Sequence, residues 1–247
     1  MKHLVYLVLV LVMGIQSLYA NNPVPSPTFE DIVKNILKNE KYVFDDKNIK
    51  ISVPKFADNP VQVPIFIDAK KLKDAKRMII AADLNPTLEI IDMKLDNLLP
   101  TISLNIKVAQ ETPLRALVLD KDNLWHIGSA NIKSFGGGCS VASLATGDSE
   151  SKKYLGQIKS DIFKNDNEYR LKASIFHPME TGLTFGNTEF FINKVLIKEN
   201  KKVLSEIITY STISENPRFV FETKNKSDNY TIEFYDNDGN EFISKTK

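Results

Sequence analysis

The sequence of 247 residues contains a single cysteine, Cys139, together with only three histidines and one tryptophan. A lone cysteine cannot form an internal disulfide, so this thiol stays free, joins a second molecule or is kept for chemistry. The charges almost cancel, with 32 Lys and Arg against 31 Asp and Glu. That balance argues against a surface for nucleic acid or for an anionic membrane. There is also no Gly-x-Ser-x-Gly motif, which argues against a serine-hydrolase site.

Residues 1–20 have the pattern of a secretory signal peptide. Lys2 precedes the apolar run 4–13, which is shorter than the roughly 20 residues that a membrane-spanning helix requires, and Ala20 is the expected cleavage position. We therefore predict export, to a bacterial periplasm, with no membrane attachment after cleavage. Removing 20 of the 247 residues leaves 227, enough for two domains, and the loss of Lys2 brings the net charge from +1 to zero.

The first part of the exported chain, residues 21–135, alternates like a β-sandwich behind one short helix. Apolar residues recur at helical spacing over 28–37. The period then changes to two, which predicts strands at 49–53, 61–67, 78–82, 88–93, 102–108, 114–119 and 125–132. Seven short strands separated by turn residues indicate an antiparallel immunoglobulin-like sandwich.

A second sandwich is predicted over residues 166–247. Between the two, residues 136–165 read as a Gly/Cys arm followed by a short helix at 149–163, since Tyr154, Leu155, Ile158 and Ile162 fall on one helical face. The period of two then returns at 169–176, 189–197, 203–209, 219–222, 230–235 and 241–244. The predicted fold class is all-β, with two immunoglobulin-like sandwiches joined by this arm and linker.

The arm is the segment Gly136, Gly137, Gly138 and Cys139. Three consecutive glycines lose much backbone entropy on ordering and are a poor means of fixing a cysteine in a core. They predict a mobile thiol that projects from the rim of the first sandwich and can enter the active site of another protein. The alternative is an ordinary glycine-rich linker in which the cysteine has no chemical role.

Other candidate residues follow in the second half and in the seventh strand. The segment that contains His177, Met179 and Gly182 combines a strand-ending proline with a tight turn, and its simplest interpretation is an ordinary loop. His126 is expected to be a packed or rim histidine. Cys139, His126, His177 and Met179 are also the ligand types of a copper centre, but their separation in sequence and the glycine tether argue against one.

The order of these features resembles a known family. The chain is similar to the sulfur-oxidation carriers SoxY and SoxZ joined in one polypeptide, and in particular to the fused SoxYZ-like carriers associated with quinoprotein dehydrogenases. The SoxY-like motifs are Ile51-Ser52-Val53-Pro54 and the terminal Gly137-Gly138-Cys139. The SoxZ-like motifs are His177-Pro178-Met179-Glu180-Thr181-Gly182 and Ile213-Ser214-Glu215-Asn216-Pro217. One departure is that Ser140 follows the cysteine and the chain continues, whereas the arm of separate SoxY is a free end.

The resemblance implies a carrier with no catalytic turnover and no cofactor. Cys139 would hold a sulfur intermediate covalently, Gly136, Gly137 and Gly138 would give it reach, and His177, Met179 and Gly182 would lie at the domain interface or under the resting arm. The partners would be periplasmic sulfur-oxidation or quinoprotein dehydrogenase-type enzymes, with thiosulfate or sulfide as the sulfur source. A homodimer linked through Cys139 is an open alternative for the resting form. The competing interpretations are a non-catalytic adaptor of a periplasmic dehydrogenase system and a copper protein.

Overall fold

Short strands joined by turns make up most of the chain in the computed structural model, which describes residues 22–144, 151–165, 167–224, 227 and 229–246. The strands of the first half are β1 Tyr42–Phe44, β2 Lys50–Ser52, β3 Val63–Asp68, β4 Arg77–Ala82, β5 Glu89–Lys94, β6 Leu98–Ile106, β7 Thr112–Leu119 and β8 Trp125–Ile132. Those of the second half are β9 Ile158–Asn165, β10 Glu168–Ile175, β11 Glu180–Thr181, β12 Glu189–Phe190, β13 Ile192–Glu199, β14 Lys202–Thr209, β15 Arg218–Thr223, β16 Tyr230–Asp236 and β17 Glu241–Lys245. Every strand predicted from the period of two is present, and the all-β sandwich fold is confirmed.

The two halves share their sheets. One sheet has the order β1-β8-β7-β4-β5-β14-β13-β16-β17, and the sheet facing it has the order β2-β3-β6-β15-β10-β9. Each sheet crosses from the first half to the second through one antiparallel pair, β5 with β14 and β6 with β15. The two sandwiches therefore join edge to edge into one long double layer. Such edge pairing also covers strand edges that would otherwise be exposed.

One apolar core runs through both halves. On β3 the inward residues Val63, Ile65 and Ile67 are buried while their neighbours are exposed or half-buried, the pattern of a strand with one face on the core. The same cluster of buried residues continues into the second half through Leu171, Phe221 and others. Burial of apolar surface contributes roughly 25 cal/mol per Å², so this shared core stabilises the packing of the two modules on each other as well as each module.

A second, smaller cluster lies on the outer face of the nine-stranded sheet. The predicted N-terminal helix begins as α1 Phe29–Asp31 and continues as a π-helical turn Ile32–Ile36. Its buried side chains pack on strand residues that face away from the main core, including Ile79, Leu117 and Trp125. This helix therefore packs on the sheet from outside and does not belong to the core that the two halves share.

The predicted helix at 149–163 is wrong for most of its length. In its described part, residues 151–163, the chain forms a 3₁₀ turn, Ser151–Tyr154, and then β9, which begins at Ile158 and pairs with β10. Ile158 and Ile162 lie four residues apart, a spacing that fits both a helical face and one face of a strand. Pairing with β10 decides between the two, and the second module therefore begins earlier than the predicted boundary at residue 166.

No helix in the described ranges is long and apolar enough to cross a membrane. The predicted signal peptide, residues 1–20, lies outside the residues that the structure describes.

Candidate functional site: the arm around Cys139

The glycine arm lies against the body of the first module. After β8 the chain makes a bridge between Ser134 and Ala57, and the N–H groups of Gly137 and Gly138 then donate to the carbonyl oxygens of Ala109 and Val108 at 2.8 and 2.9 Å. Cys139 follows in a single 3₁₀ turn, Gly138–Ser140, and is only 1% exposed. The expectation that Cys139 projects from the rim is therefore wrong for this conformation, in which the arm is docked.

The glycines permit this docking because they allow the backbones to approach closely. A Cβ atom added to Gly138 would lie 2.0 Å from the carbonyl oxygen of Pro60, and one added to Gly136 would lie 2.4 Å from that of Ala109. Gly136 and Gly137 also have positive φ angles of 81° and 85°, a region that residues with side chains rarely adopt. The three glycines thus fit the docked backbone as well as a mobile one.

Residues of the second half hold the arm from the other side. The hydroxyl of Thr181 donates to the carbonyl oxygen of Cys139 at 2.6 Å. Further along, the N–H of Ser143 donates to Oε1 of Glu180 at 2.8 Å, and the N–H of Leu144 donates to Oε2 of Glu215 at 3.0 Å. Cys139 is therefore enclosed between backbone of the first half and side chains of the second.

Burial decides the electrostatics of the thiol. Desolvation raises the pKa of Cys139 to about 11, and the positive charge of Lys107 opposes that rise only in part. The thiolate is the reactive form of cysteine, and at pH 7 a thiol of this pKa is ionised in roughly one molecule in ten thousand. The docked arm consequently keeps the cysteine unreactive.

Lys107 is a site residue that the sequence did not reveal. It is buried at the junction of the halves, where its Nζ donates to the carbonyl oxygens of Met179 and Ser211. Burial lowers the pKa of Lys107, against the attraction of Glu180, Cys139 and other acidic groups. The alternation along 102–108 assigns Lys107 to the solvent face of its strand, and only the packing of the second half covers it.

His177, Met179 and Gly182 shape the loop that carries Glu180 and Thr181. The His177 side chain is fully buried, and its Nδ1 accepts a hydrogen bond from the N–H of Met179 at 3.2 Å. Its Nε2 has no hydrogen-bond partner among the described residues and lies 3.6 Å from Asp236. Burial lowers the pKa of His177 to about 4, against the pull of Asp236, so the ring is neutral near pH 7.

The left-handed backbone of this loop brings its polar side chains to the arm. Met179 and Gly182 have positive φ angles of 52° and 70°. Between them stand Thr181, which donates to the carbonyl oxygen of Cys139, and Glu180, which accepts from the N–H of Ser143 just after the arm. Both were part of the motif visible in the sequence, but no pattern there distinguishes them from their neighbours.

The copper alternative lacks a ligand cluster. His126 lies on β8, where its two ring nitrogens face the carboxylates of Asp45 and Asp120 at 2.8 and 3.1 Å. His177 uses Nδ1 for the N–H of Met179. In the ranges that the structure describes, no group of three or more His, Cys, Asp and Glu side chains is placed to hold a metal ion.

Comparison with known families accounts for both halves. Residues 33–139 match the family model described as sulfur oxidation protein SoxY, and residues 158–247 match that described as sulphur oxidation protein SoxZ. The SoxY match ends at Cys139 itself. No curated protein is matched.

Two solved structures show distant similarity. The sulfur carrier protein SoxY from Chlorobium limicola f thiosulfatophilum is 17% identical, with 43% of this chain and 96% of that chain covered and a TM-score of 0.38. A structure of manganese lipoxygenase of Gaeumannomyces graminis with zonadhesin of Komagataella pastoris is 7% identical, with 81% and 92% covered and a TM-score of 0.21. Neither superposition is close enough to carry an argument. The two family matches follow each other along one polypeptide, the first ending at Cys139 and the second beginning at residue 158, and they are decisive: the chain belongs to the SoxY and SoxZ families and is a fused SoxYZ sulfur-oxidation carrier.

Proposed function

We propose that this chain carries sulfur intermediates as covalent adducts on Sγ of Cys139 and presents them to partner enzymes, without catalytic turnover of its own. The observation that carries the proposal is that the chain's single cysteine stands at the last residue of the SoxY match, at the end of the glycine arm. A carrier needs one attachment atom and a segment that can deliver it. Cys139 supplies the atom, and the glycines supply the segment.

The chemistry of loading is an oxidative conjugation. With thiosulfate, the S–H bond of Cys139 breaks, a bond forms between Sγ and the terminal sulfur of thiosulfate, and one proton and two electrons leave. The electrons must pass to a redox-active partner enzyme, since this chain contains one thiol and no second cysteine to accept them. Sulfide would be joined to Sγ by the same two-electron oxidation, with the electrons again passing to the partner enzyme, and would give a persulfide.

Delivery requires that the arm leave its docked position. Cys139 is 1% exposed, so a partner enzyme cannot reach its sulfur while the arm is docked. From the bridge at Ser134, five residues of extended chain reach at most about 18 Å, at roughly 3.3–3.6 Å per residue. A partner must therefore place its reactive centre within that distance of the surface it presents to the carrier. Undocking also removes the desolvation that keeps the thiol protonated.

The cellular location and the partners of the carrier follow from the same proposal. We expect the carrier to act in the periplasm after removal of residues 1–20, on sulfur-oxidation or quinoprotein dehydrogenase-type enzymes. With the arm undocked, two copies could also join through Cys139 as a resting disulfide. In the docked conformation the burial of Sγ excludes that bond.

One observation favours a second candidate, a non-catalytic adaptor. The buried thiol, with its raised pKa, is what a structural cysteine looks like. An adaptor would keep Cys139 docked permanently, so that its replacement by serine would leave function intact.

Intact mass of the protein isolated from its native cells separates the two. The carrier proposal expects a fraction of molecules with an added mass of sulfur or thiosulfate that a reductant removes, and no such mass in Cys139→Ser. It also expects loss of thiosulfate-dependent electron transfer in Cys139→Ser at unchanged thermal stability. An unmodified cysteine, with Cys139→Ser behaving as wild type, would establish the adaptor.

A further inference from the structure

A groove lies on the second half of the chain, over the six-stranded sheet. It has a volume of about 840 Å³, and its lining includes residues of β9, β10 and β15. On β10, Leu171, Ala173 and Ile175 are buried while Lys172 and Ser174 are not, so the even-numbered side chains point away from the core. The groove therefore involves the face of the sheet that the shared core does not use.

The strand pairing places two cations on either side of a small residue in this groove. Ser174 of β10 lies opposite Lys159 of β9 and opposite Arg218 of β15. Directly opposite residues on one face of antiparallel strands have Cβ atoms about 4.5–5.5 Å apart. Lys159 and Arg218 are exposed, and the side chain of Ser174 is too short to fill the space between them. We call Lys159, Ser174 and Arg218 the cationic row.

Positive charge exceeds negative charge in the groove. Its charged lining residues are Lys159, Lys172 and Arg218 against Asp161 alone. Asp161 lies opposite Lys172 in the pairing of β9 with β10. With that carboxylate placed beside Lys172, the two cations of the row have no carboxylate of the groove to offset them.

Arg218 differs from the other arginines of the chain. The sequence has four arginines, and three of them are paired with a carboxylate: Arg77 with Asp92, Arg115 with Asp83 and Arg170 with Glu222. Within the residues that the structure describes, the guanidinium of Arg218 has no hydrogen bond or ion pair. Arginine presents a rigid fork of donors that matches the two oxygens of a carboxylate. Its unpaired guanidinium in the groove is therefore available to a carboxylate from outside the chain.

A smaller cavity of about 280 Å³ adjoins the groove, since Asn216 and Arg218 line both. This cavity lies at the junction of the halves, because Gln62 and Asn105 of the first half line it together with Glu215 of the second. Side-chain amides both donate and accept, as the peptide groups of a bound chain do. The carboxylate of Glu215 would repel an anion. The cavity thus suits the backbone of a polypeptide better than it suits a free anion.

We propose that the groove is the docking site for an acidic segment of a partner protein, whose carboxylates bind along the cationic row, with Arg218 holding one of them through both oxygens. Charge complementarity identifies this occupant, and the proposal goes beyond the carrier function without depending on the chemistry of Cys139. A free oxyanion is a poorer occupant because it would leave most of a groove of about 840 Å³ unfilled.

The position of the groove gives such docking a consequence for the arm. Glu215, which lines the adjoining cavity, accepts a hydrogen bond from the N–H of Leu144, five residues after Cys139. A partner held by the cationic row would therefore lie beside the chain that continues from the arm. The docking site and the proposed attachment atom are thus served by the same junction of the two halves.

The test measures binding of a fluorescein-labelled hexaglutamate peptide to the full chain by fluorescence anisotropy at low salt. Lys159→Met/Arg218→Met removes both cations, whereas Ser174→Glu keeps both and places a carboxylate between them. The matched control is Lys34→Met/Lys41→Met, which also removes two exposed positive charges. These two lysines belong to the N-terminal helix and to the residue before β1, on the nine-stranded sheet.

Both groove variants are expected to bind hexaglutamate at least about tenfold more weakly than wild type, because each loses charge-assisted hydrogen bonds to the peptide. The control should bind within about twofold of wild type, and the unfolding temperature should be the same in all four proteins. Ser174→Glu is the sharper variant, since its weakening cannot come from a missing cation.

Three outcomes overturn the proposal. The first is that wild type does not bind hexaglutamate. The second is that the control weakens binding as much as the groove variants do, which would make net charge the cause. The third is that inorganic sulfate displaces the peptide at a concentration equal to that of the peptide, which would assign the cationic row to a small oxyanion. Cys139→Ser should bind hexaglutamate like wild type, so failure of the carrier function and failure of this docking site are told apart.

Discussion

The hydroxyl of Thr181, from the SoxZ half, donates a hydrogen bond of 2.6 Å to the carbonyl oxygen of Cys139, from the SoxY half. Thr181 is 8% exposed and Cys139 is 1% exposed, so this bond lies in the junction and is shielded from water. It is the direct link between the residue proposed to carry sulfur and the half that follows it in the fused chain. Docking of the arm therefore depends on residues of both halves.

Thr181→Val should loosen the docked arm. The substitution keeps the shape of the side chain and removes the buried hydrogen bond to Cys139, which is worth about 1 kcal/mol, together with the longer bond of 3.3 Å that the hydroxyl accepts from the N–H of Leu183. The population of undocked arm should therefore rise roughly fivefold, and with it the rate at which N-ethylmaleimide modifies Cys139. The control is Thr101→Val, which removes a buried hydroxyl bond of 2.7 Å to the carbonyl oxygen of Ile67, within the first half. Equal modification rates in the two variants would show that Thr181 does not hold the arm.

Gly138→Ala should release the arm more strongly. Its Cβ would meet backbone atoms, 2.0 Å from the oxygen and 2.5 Å from the carbon of the Pro60 carbonyl group, and backbone cannot turn aside as a side chain can. Overpacking of this kind costs about 1–3 kcal/mol, which predicts a rise in the modification rate of roughly fivefold to 150-fold.

Gly137→Ala is the matched control for that substitution. Its Cβ would have nothing within 4 Å, so only the positive φ of 85° opposes it. A smaller rise is expected. If Gly137→Ala released the thiol as much as Gly138→Ala, close approach to Pro60 would not be what fits the arm to its site.

The pH dependence of thiol modification should report docking. Burial raises the pKa of Cys139 to about 11 from an ordinary value of 9.0, so the docked arm binds the thiol proton more tightly than the undocked arm does. Docking is therefore fully stable below pH 9 and is lost as the pH rises through 11. In wild type the modification rate should continue to rise up to about pH 11. In Gly138→Ala it should level off near pH 9. A wild-type profile that levels off near pH 9 would contradict a docked arm in solution.

The sequence was sufficient to predict most of the strands, though not β1 or β9, and it was insufficient to predict what packs against them. The alternation of Val63, Ile65 and Ile67 predicts a strand with one buried face, and the structure has it. The same period cannot say which strand edges meet, so the pairing of β5 with β14 and of β6 with β15 was not foreseen. A spacing of four between Ile158 and Ile162 fits one face of a helix and also one face of a strand. The strand forms because β10 pairs with this segment along its whole length.

The same limit applies to the site. The sequence singles out Cys139 because it is the only cysteine, and the glycines because they are consecutive. It cannot distinguish glycines that move from glycines that fit closely against Pro60, because both need the absence of a Cβ atom. Lys107 reads as a solvent-facing residue of its strand, and burial by the second half is a tertiary effect that no local pattern contains.

The buried pair of Arg115 and Asp83 should be the most sensitive ion pair of the first module. Both side chains are fully buried, and Nη2 lies 2.8 Å from Oδ2. Arg115 also donates to Asn22 and to the carbonyl oxygen of Val24, which ties the start of the described chain to β7. Arg115→Met would leave the Asp83 carboxylate buried without its cation and should lower the free energy of unfolding by about 3–5 kcal/mol.

Arg77→Met is the matched control for that pair. Arg77 and Asp92 are as close, at 2.6 Å, but their side chains are 41% and 17% exposed, so water screens the charges and the expected loss is at most about 1 kcal/mol. Urea unfolding at pH 7 measures both variants, and an unchanged dependence on urea shows that the unfolded state is the same. Replacing both members of the buried pair, as Arg115→Met/Asp83→Leu, should recover part of the loss because no unpaired charge remains in the interior. Equal losses in Arg115→Met and Arg77→Met would mean that the depth of the pair does not set its contribution.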